Sequence, residues 1–163
     1  MKMDDLDLQI KYTPAERQFL LYEYFQKHTN KEHPVSRKEI LDYLETFEIY
    51  ISPHTLYSDL DVLRGTMKLD IQFNAHAHQG AGGYWLNNPK FKPHELRLMV
   101  DGIQSSKFIP QKQARVITQK ITDLADNYTK ASLNRQAYVA GRVRSLNESV
   151  VKDADRIHEA IAT

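Results

Sequence analysis

The stretch Ser52-Pro53-His54-Thr55-Leu56-Tyr57-Ser58 gathers polar side chains where a helix begins. Ser serves as a helix cap and Pro fits the first turn, where its missing N–H is no loss. Leu56, Leu60, Leu63 and Met67 follow at helical spacing, so the pattern predicts a helix over residues 52–67 with one apolar face. On a wheel of about 100° per residue, His54, Ser58 and Asp61 fall opposite Leu56, and Thr55 and Tyr57 sit on opposite shoulders. Hydroxyl groups there can bond phosphate or base edges, and the Thr methyl can meet a thymine methyl. Amides at the helix start, near Ser52, can hold a phosphate. The candidate DNA readers are therefore His54, Thr55, Tyr57 and Ser58, with Ser52 at the helix start. Asp61 opposes the reading, because a carboxylate repels a phosphate backbone. Asp59 flanks the core face and is expected to pair with a nearby Arg or Lys.

The first two turns of this helix contain no Lys or Arg, so affinity must come from elsewhere. Ser36-Arg37-Lys38-Glu39 has the pattern of a capping box, in which Ser and Glu satisfy each other's unpaired amides. Arg37 and Lys38 thus open the preceding helix, which crosses the DNA backbone in a helix-turn-helix. A wing after the third helix carries Asn74, His76, His78 and Gln79 in place of the usual Lys or Arg. Histidine ordinarily titrates near ~6.5, so DNA affinity is predicted to rise as the pH falls from about 8 to 6. A binding titration that stays flat over that range would count against a histidine role.

Other chemistries fare worse. His76 and His78 alternate on a strand and share a face, but zinc needs further ligands and the chain has no cysteine. No metal or cofactor is expected. The Gly-rich run QGAGG lacks the Lys-Ser/Thr of a phosphate loop. Asp59 and Asp61 are two apart on a helix and point to different faces. No Ser–His–Asp set can be assigned, so an enzyme is not expected.

These residues need a scaffold, and the rest of the chain supplies its elements. Residues 1–12 read as a polar arm. Thr13-Pro14 opens a helix that runs to about His28. The capping box opens a second, ending near Glu48. Ile49-Tyr50-Ile51 is a short apolar turn before the third. Leu69 to Phe73 alternates as a strand does, Gln79 to Gly83 reads as a hairpin turn, and Tyr84-Trp85-Leu86 returns against the core. Three helices followed by a hairpin make residues 13–88 a winged helix-turn-helix. The fold class is mainly α with a small β-hairpin. Asn87 to Pro93 reads as a linker within a boundary near residue 89. Residues 89–163 form a helical connector, with helices from His94 to Lys107, from Pro110 to near Tyr128, and from Leu146 to Ala162. Asn134 to Arg144 is less periodic and open to an extended reading.

The 163 residues are 41% hydrophobic and 26% charged, ordinary for a globular chain. No apolar run nears the ~18 residues of a membrane span. The acidic start MKMDDLDLQI has no signal-peptide core. A cytoplasmic setting with no membrane partner is expected. Residues 1–90 hold 10 Lys and Arg against 13 Asp and Glu, net −3, and residues 91–163 hold 12 against 8, net +4. Nucleic-acid binders usually show a basic footprint. The DNA reading therefore rests on local placement. Its rival is a winged helix used for protein–protein contact without DNA.

SPHTLYSDLDVLR, the hairpin ending GGYWL, ELRLMVDGIQSSKFI and LNRQAYV together resemble the WYL-domain transcriptional regulators. The resemblance runs from about Arg17 to the C-terminus. It implies a DeoR-like winged helix that binds double-stranded DNA, a helical connector and a homodimer. Relatives often carry Arg where Tyr57 and Ser58 stand here. They usually continue into a small β-barrel, and this chain stops about where that barrel would begin. The resemblance therefore implies a fragment, with the effector site in the missing C-terminal domain.

Overall fold

Local capping fixes where each of the first three helices begins. The computed structural model describes residues 12–77, 80, 82–136, 153, 156, 157, 160 and 161. Helix α1 spans Pro14–His28, with the Thr13 hydroxyl accepting from the Glu16 amide and the Glu16 carboxylate accepting from the Thr13 amide. Those bonds to the Thr13 backbone and then its side chain hold the Glu16 carboxyl below its usual range. Helix α2 spans Arg37–Glu45, and Ser36 and Glu39 form the expected capping box. Helix α3 spans Pro53–Gly65, capped by Ser52.

The core of this part is assembled from one face of each helix. Leu21, Phe25, Ile40, Leu44, Leu56, Leu60 and Leu63 are all fully buried. Each such side chain contributes roughly 1.5–3 kcal/mol relative to exposure. Met67, placed on the same face by its spacing, lies beyond the end of α3 and is exposed. The helix expected over 52–67 is thus two residues shorter than its apolar spacing.

Two left-handed residues close helix ends. The Ile49 amide donates to the Leu44 carbonyl at 3.1 Å, with Glu48 at φ 61°. This turn ends α2 at Glu45, before the expected Glu48. Leu69 likewise donates to the Leu63 carbonyl at 3.0 Å, with Lys68 at φ 57°. Because Leu69 is spent on that cap, the first strand starts at Ile71 rather than at Leu69. Left-handed backbone costs a non-glycine residue about 1–2 kcal/mol, against ~0.5–1 kcal/mol for the extra chain entropy of glycine. Glu48→Gly and Lys68→Gly are each expected to raise stability by up to about 1 kcal/mol. Urea unfolding midpoints check this.

Strand β1 (Ile71–Asn74) pairs antiparallel with β2 (Gly83–Leu86), placing Ile71 opposite Leu86 and Phe73 opposite Tyr84. The other edge of β2 is also engaged. Val35 and Tyr84 exchange two backbone bonds of 2.8 Å. The Leu86 amide donates to the buried Thr29 hydroxyl at 3.0 Å, and that hydroxyl donates to the Phe25 carbonyl at 2.8 Å. The hairpin is thereby tied to the C-terminal end of α1 and the α1–α2 connection. Gly82 has φ 76°, and a Cβ there would lie 2.8 Å from the Phe73 ring, so any other residue would be strained at that point.

The chain forms two compact units, Met1–Pro89 and Lys90–Thr163. In the second, α4 (Pro93–Ser105), α5 (Gln111–Thr122) and α6 (Asn127–Gln136) surround Leu96, Ala125 and Leu133. Gln104 Nε2 on α4 donates to Thr118 Oγ1 on α5 at 2.9 Å. The helix expected from Pro110 to near Tyr128 ends at Thr122, and a separate helix begins at Asn127. Asp126 Oδ1 accepts from the Tyr128 and Thr129 amides at 3.0 Å and starts α6. Asn134 to Gln136, open to an extended reading from sequence, belong to that helix. The rest of that segment lies outside the described residues, as does most of Leu146–Ala162. Residues 153, 156, 157, 160 and 161 are helical. Of the arm at 1–12, only Tyr12 is described. Among the described residues no helix is long and apolar enough to cross a membrane.

Candidate functional site

At the start of α3, hydroxyl groups turn inward. Ser52 Oγ accepts from the Thr55 amide at 3.1 Å and lies 3.0 Å from Thr55 Oγ1. Ser52 and Thr55 are therefore brought together, and their hydroxyls are engaged in the cap. Pro53 has no N–H, and the Thr55 amide is capped. Among the described residues, this leaves the His54 amide as the first-turn donor without a partner. The His54, Tyr57 and Ser58 side chains are exposed, whereas Thr55 is half-buried. For His54 and Ser58 the structure gives exposure and no mutual contact.

Arg37 and Lys38 are exposed on the first turn of α2. Among the described residues neither is paired with a carboxylate. Arg37 Nη1 donates to Tyr57 Oη at 3.1 Å, which joins the first turn of α2 to the second turn of α3. Tyr84, from β2, lies in the same cluster. Burial first, then the Tyr57 hydroxyl beside it, pushes the Tyr84 phenol up, while Arg64 and Arg37 pull the other way. Arg64 itself donates to the Ile71 carbonyl at 3.0 Å.

The two carboxylates of α3 are each answered by an arginine. Asp59 is 2% exposed. Its Oδ2 accepts from Arg17 Nε at 2.6 Å and its Oδ1 from Arg17 Nη2 at 3.0 Å. Gln18 Nε2 adds a bond to Oδ1 at 3.0 Å. Asp59 is therefore the clamp between α1 and α3 that its place beside the core face implied. Asp61 is exposed and lies 3.6 Å from Arg64 Nη1. An exposed pair of this kind contributes at most ~1 kcal/mol, but it blunts the repulsion that Asp61 would offer an anion.

The turn between β1 and β2 holds His76, exposed, with its amide donating to Asn74 Oδ1 at 2.9 Å. His78 and Gln79 lie outside the described residues. Among the described residues no three His, Asp or Glu side chains could hold a metal ion. Phe73, at the base of the turn, is half-exposed against Tyr84, with ring centroids 4.6 Å apart.

Sequence reasoning did not find Arg17, Gln18 or Tyr84 as members of this region. Arg17 and Asp59 are 42 residues apart, and no local spacing carries a pairing of that range. The wheel position of Asp59 was the available signal, and it specified one partner of the pair. Tyr84 was readable as a buried strand residue, but not as a neighbour of Tyr57. No family model, curated protein or solved structure matches this chain.

Proposed function

We propose that the chain is a sequence-specific DNA-binding part of a bacterial transcriptional regulator of the WYL type, working in the cytoplasm. In this reading Met1–Pro89 is a winged helix-turn-helix. Helix α2 lies across the phosphate backbone, α3 enters the major groove, and the β1–β2 turn touches the backbone or minor groove. The observation that carries it is the joining of the start of α2 to the second turn of α3 through Arg37 and Tyr57. Beside that contact stands Lys38, exposed and, among the described residues, without a carboxylate partner. The two exposed cations at the start of α2 make a local basic edge on a unit that is acidic as a whole.

The second unit is assigned a connector and pairing role. Leu98 and Phe108 are about three-quarters exposed, at 75% and 77%, and Val116 is 51% exposed. Apolar side chains left so open favour association, and two copies would reach two half-sites.

The net −3 of residues 1–90 favours the rival, a winged helix that binds protein and not DNA. A gel shift on the DNA adjacent to the gene, with salt varied, separates the two. For about four phosphate contacts, affinity is expected to fall roughly a hundredfold between about 50 and 200 mM salt. Absence of binding at the lower salt supports the rival.

A further inference from the structure

Tyr57 stood among the candidate base readers because its ring is exposed on a shoulder of α3. Its hydroxyl is already engaged. Arg37 Nη1 donates to it at 3.1 Å. A phenol has one donor and limited acceptor capacity, whereas a guanidinium has five N–H donors. The contact therefore reduces the capacity of Tyr57 to accept from a base and leaves Arg37 with four N–H groups. Tyr84 is buried and stands against the same hydroxyl from the β2 side. The Tyr57 hydroxyl thus has beside it a residue that is fixed in turn by two backbone bonds to Val35.

We propose that Tyr57 is a positioning residue: its hydroxyl, backed by Tyr84, holds the Arg37 guanidinium against α3 so that Arg37 meets a backbone phosphate in register with that helix. This rests on the DNA-binding reading above and changes the role of one residue within it. Arginine has a long, freely rotating side chain, and ordering it on binding weakens affinity. A side chain held in place before DNA arrives avoids part of that loss. Base discrimination then falls to His54 and Ser58, and to the methyl group of Thr55, whose hydroxyl is engaged in the cap.

The test is a double-mutant cycle in the full chain, using a duplex enriched from a random-sequence pool. Tyr57→Phe keeps the ring and removes the hydroxyl. It is expected to weaken binding about three- to tenfold, with the selected sequence unchanged. Arg37→Ala is expected to weaken it at least as much, and the double variant to be no weaker than Arg37→Ala alone. In the free protein, side-chain 15N spectra should show slowed rotation of the Arg37 guanidinium that Tyr57→Phe restores to fast averaging. An unchanged melting temperature for Tyr57→Phe excludes a merely structural effect. Additive losses, a changed selected sequence, or a guanidinium that rotates freely in the parent protein would overturn the positioning role while leaving DNA binding intact. A parent chain that binds no duplex would overturn the DNA reading and this role with it.

Discussion

Asp59→Ala is expected to destabilise the first unit by about 3–5 kcal/mol, because it leaves the Arg17 guanidinium in a nearly closed site without its counter-charge. The Arg17 side chain is 13% exposed and that of Asp59 is 3% exposed, so water can compensate for little of the loss. Gln18 loses its acceptor as well. Small domains have total stabilities of about 5–15 kcal/mol, so the variant should sit near the edge of unfolding at room temperature. Urea denaturation followed by far-UV circular dichroism measures the change. The contrast is the paired replacement Arg17→Met with Asp59→Leu. Removing both charges together should recover most of the loss, since a buried ion pair is often no better than well-packed apolar groups. A small effect of Asp59→Ala alone would show that the clamp between α1 and α3 contributes little.

The second large effect concerns binding. Arg37→Glu with Lys38→Glu is expected to lower DNA affinity by about a hundredfold or more at moderate salt, and to reduce the salt slope by about 2 for each subunit. The change should not disturb folding. Both side chains are exposed, the Ser36–Glu39 capping box does not involve them, and acidic residues suit the first turn of a helix. Fluorescence anisotropy at several salt concentrations reads both quantities. Equal affinity in parent and variant would remove these residues from the interface.

Legibility in the sequence followed the range of the interaction. Caps are local, so Thr13, Ser36 and Ser52 announced α1, α2 and α3 at the right residues. Leucines at helical spacing marked the buried face of α3, and the Gly-rich run marked a turn between two strands. Helix ends were less readable. Glu48 and Lys68 take the left-handed conformation that glycine or asparagine usually signals, and a charged residue there gives no warning. The helix expected to end near Tyr128 stops at Thr122; Leu124 and Ala125 keep the apolar spacing of α5 beyond its end, and the start of α6 at Asn127 was missed. For the candidate site, the exposed positions on α3 and the cations on α2 were visible from periodicity alone. Their connection was not. The Arg37–Tyr57 contact spans 20 residues and depends on how two helices pack. That packing turned two separately chosen residues into one linked pair, whereas the local cap of α3 takes up the Ser52 and Thr55 hydroxyls.

On the proposed reading, the face built from the N-terminal turns of α2 and α3 binds duplex DNA. The most direct test is a titration of the 15N-labelled full chain with a duplex enriched from a random-sequence pool, followed by amide shifts at low salt. The expected result is a set of changes concentrated at Arg37, Lys38, His54, Thr55, Tyr57 and Ser58, extending to the turn around His76 and reversed by added salt. Shifts confined to another surface, or none at any duplex concentration, would contradict it.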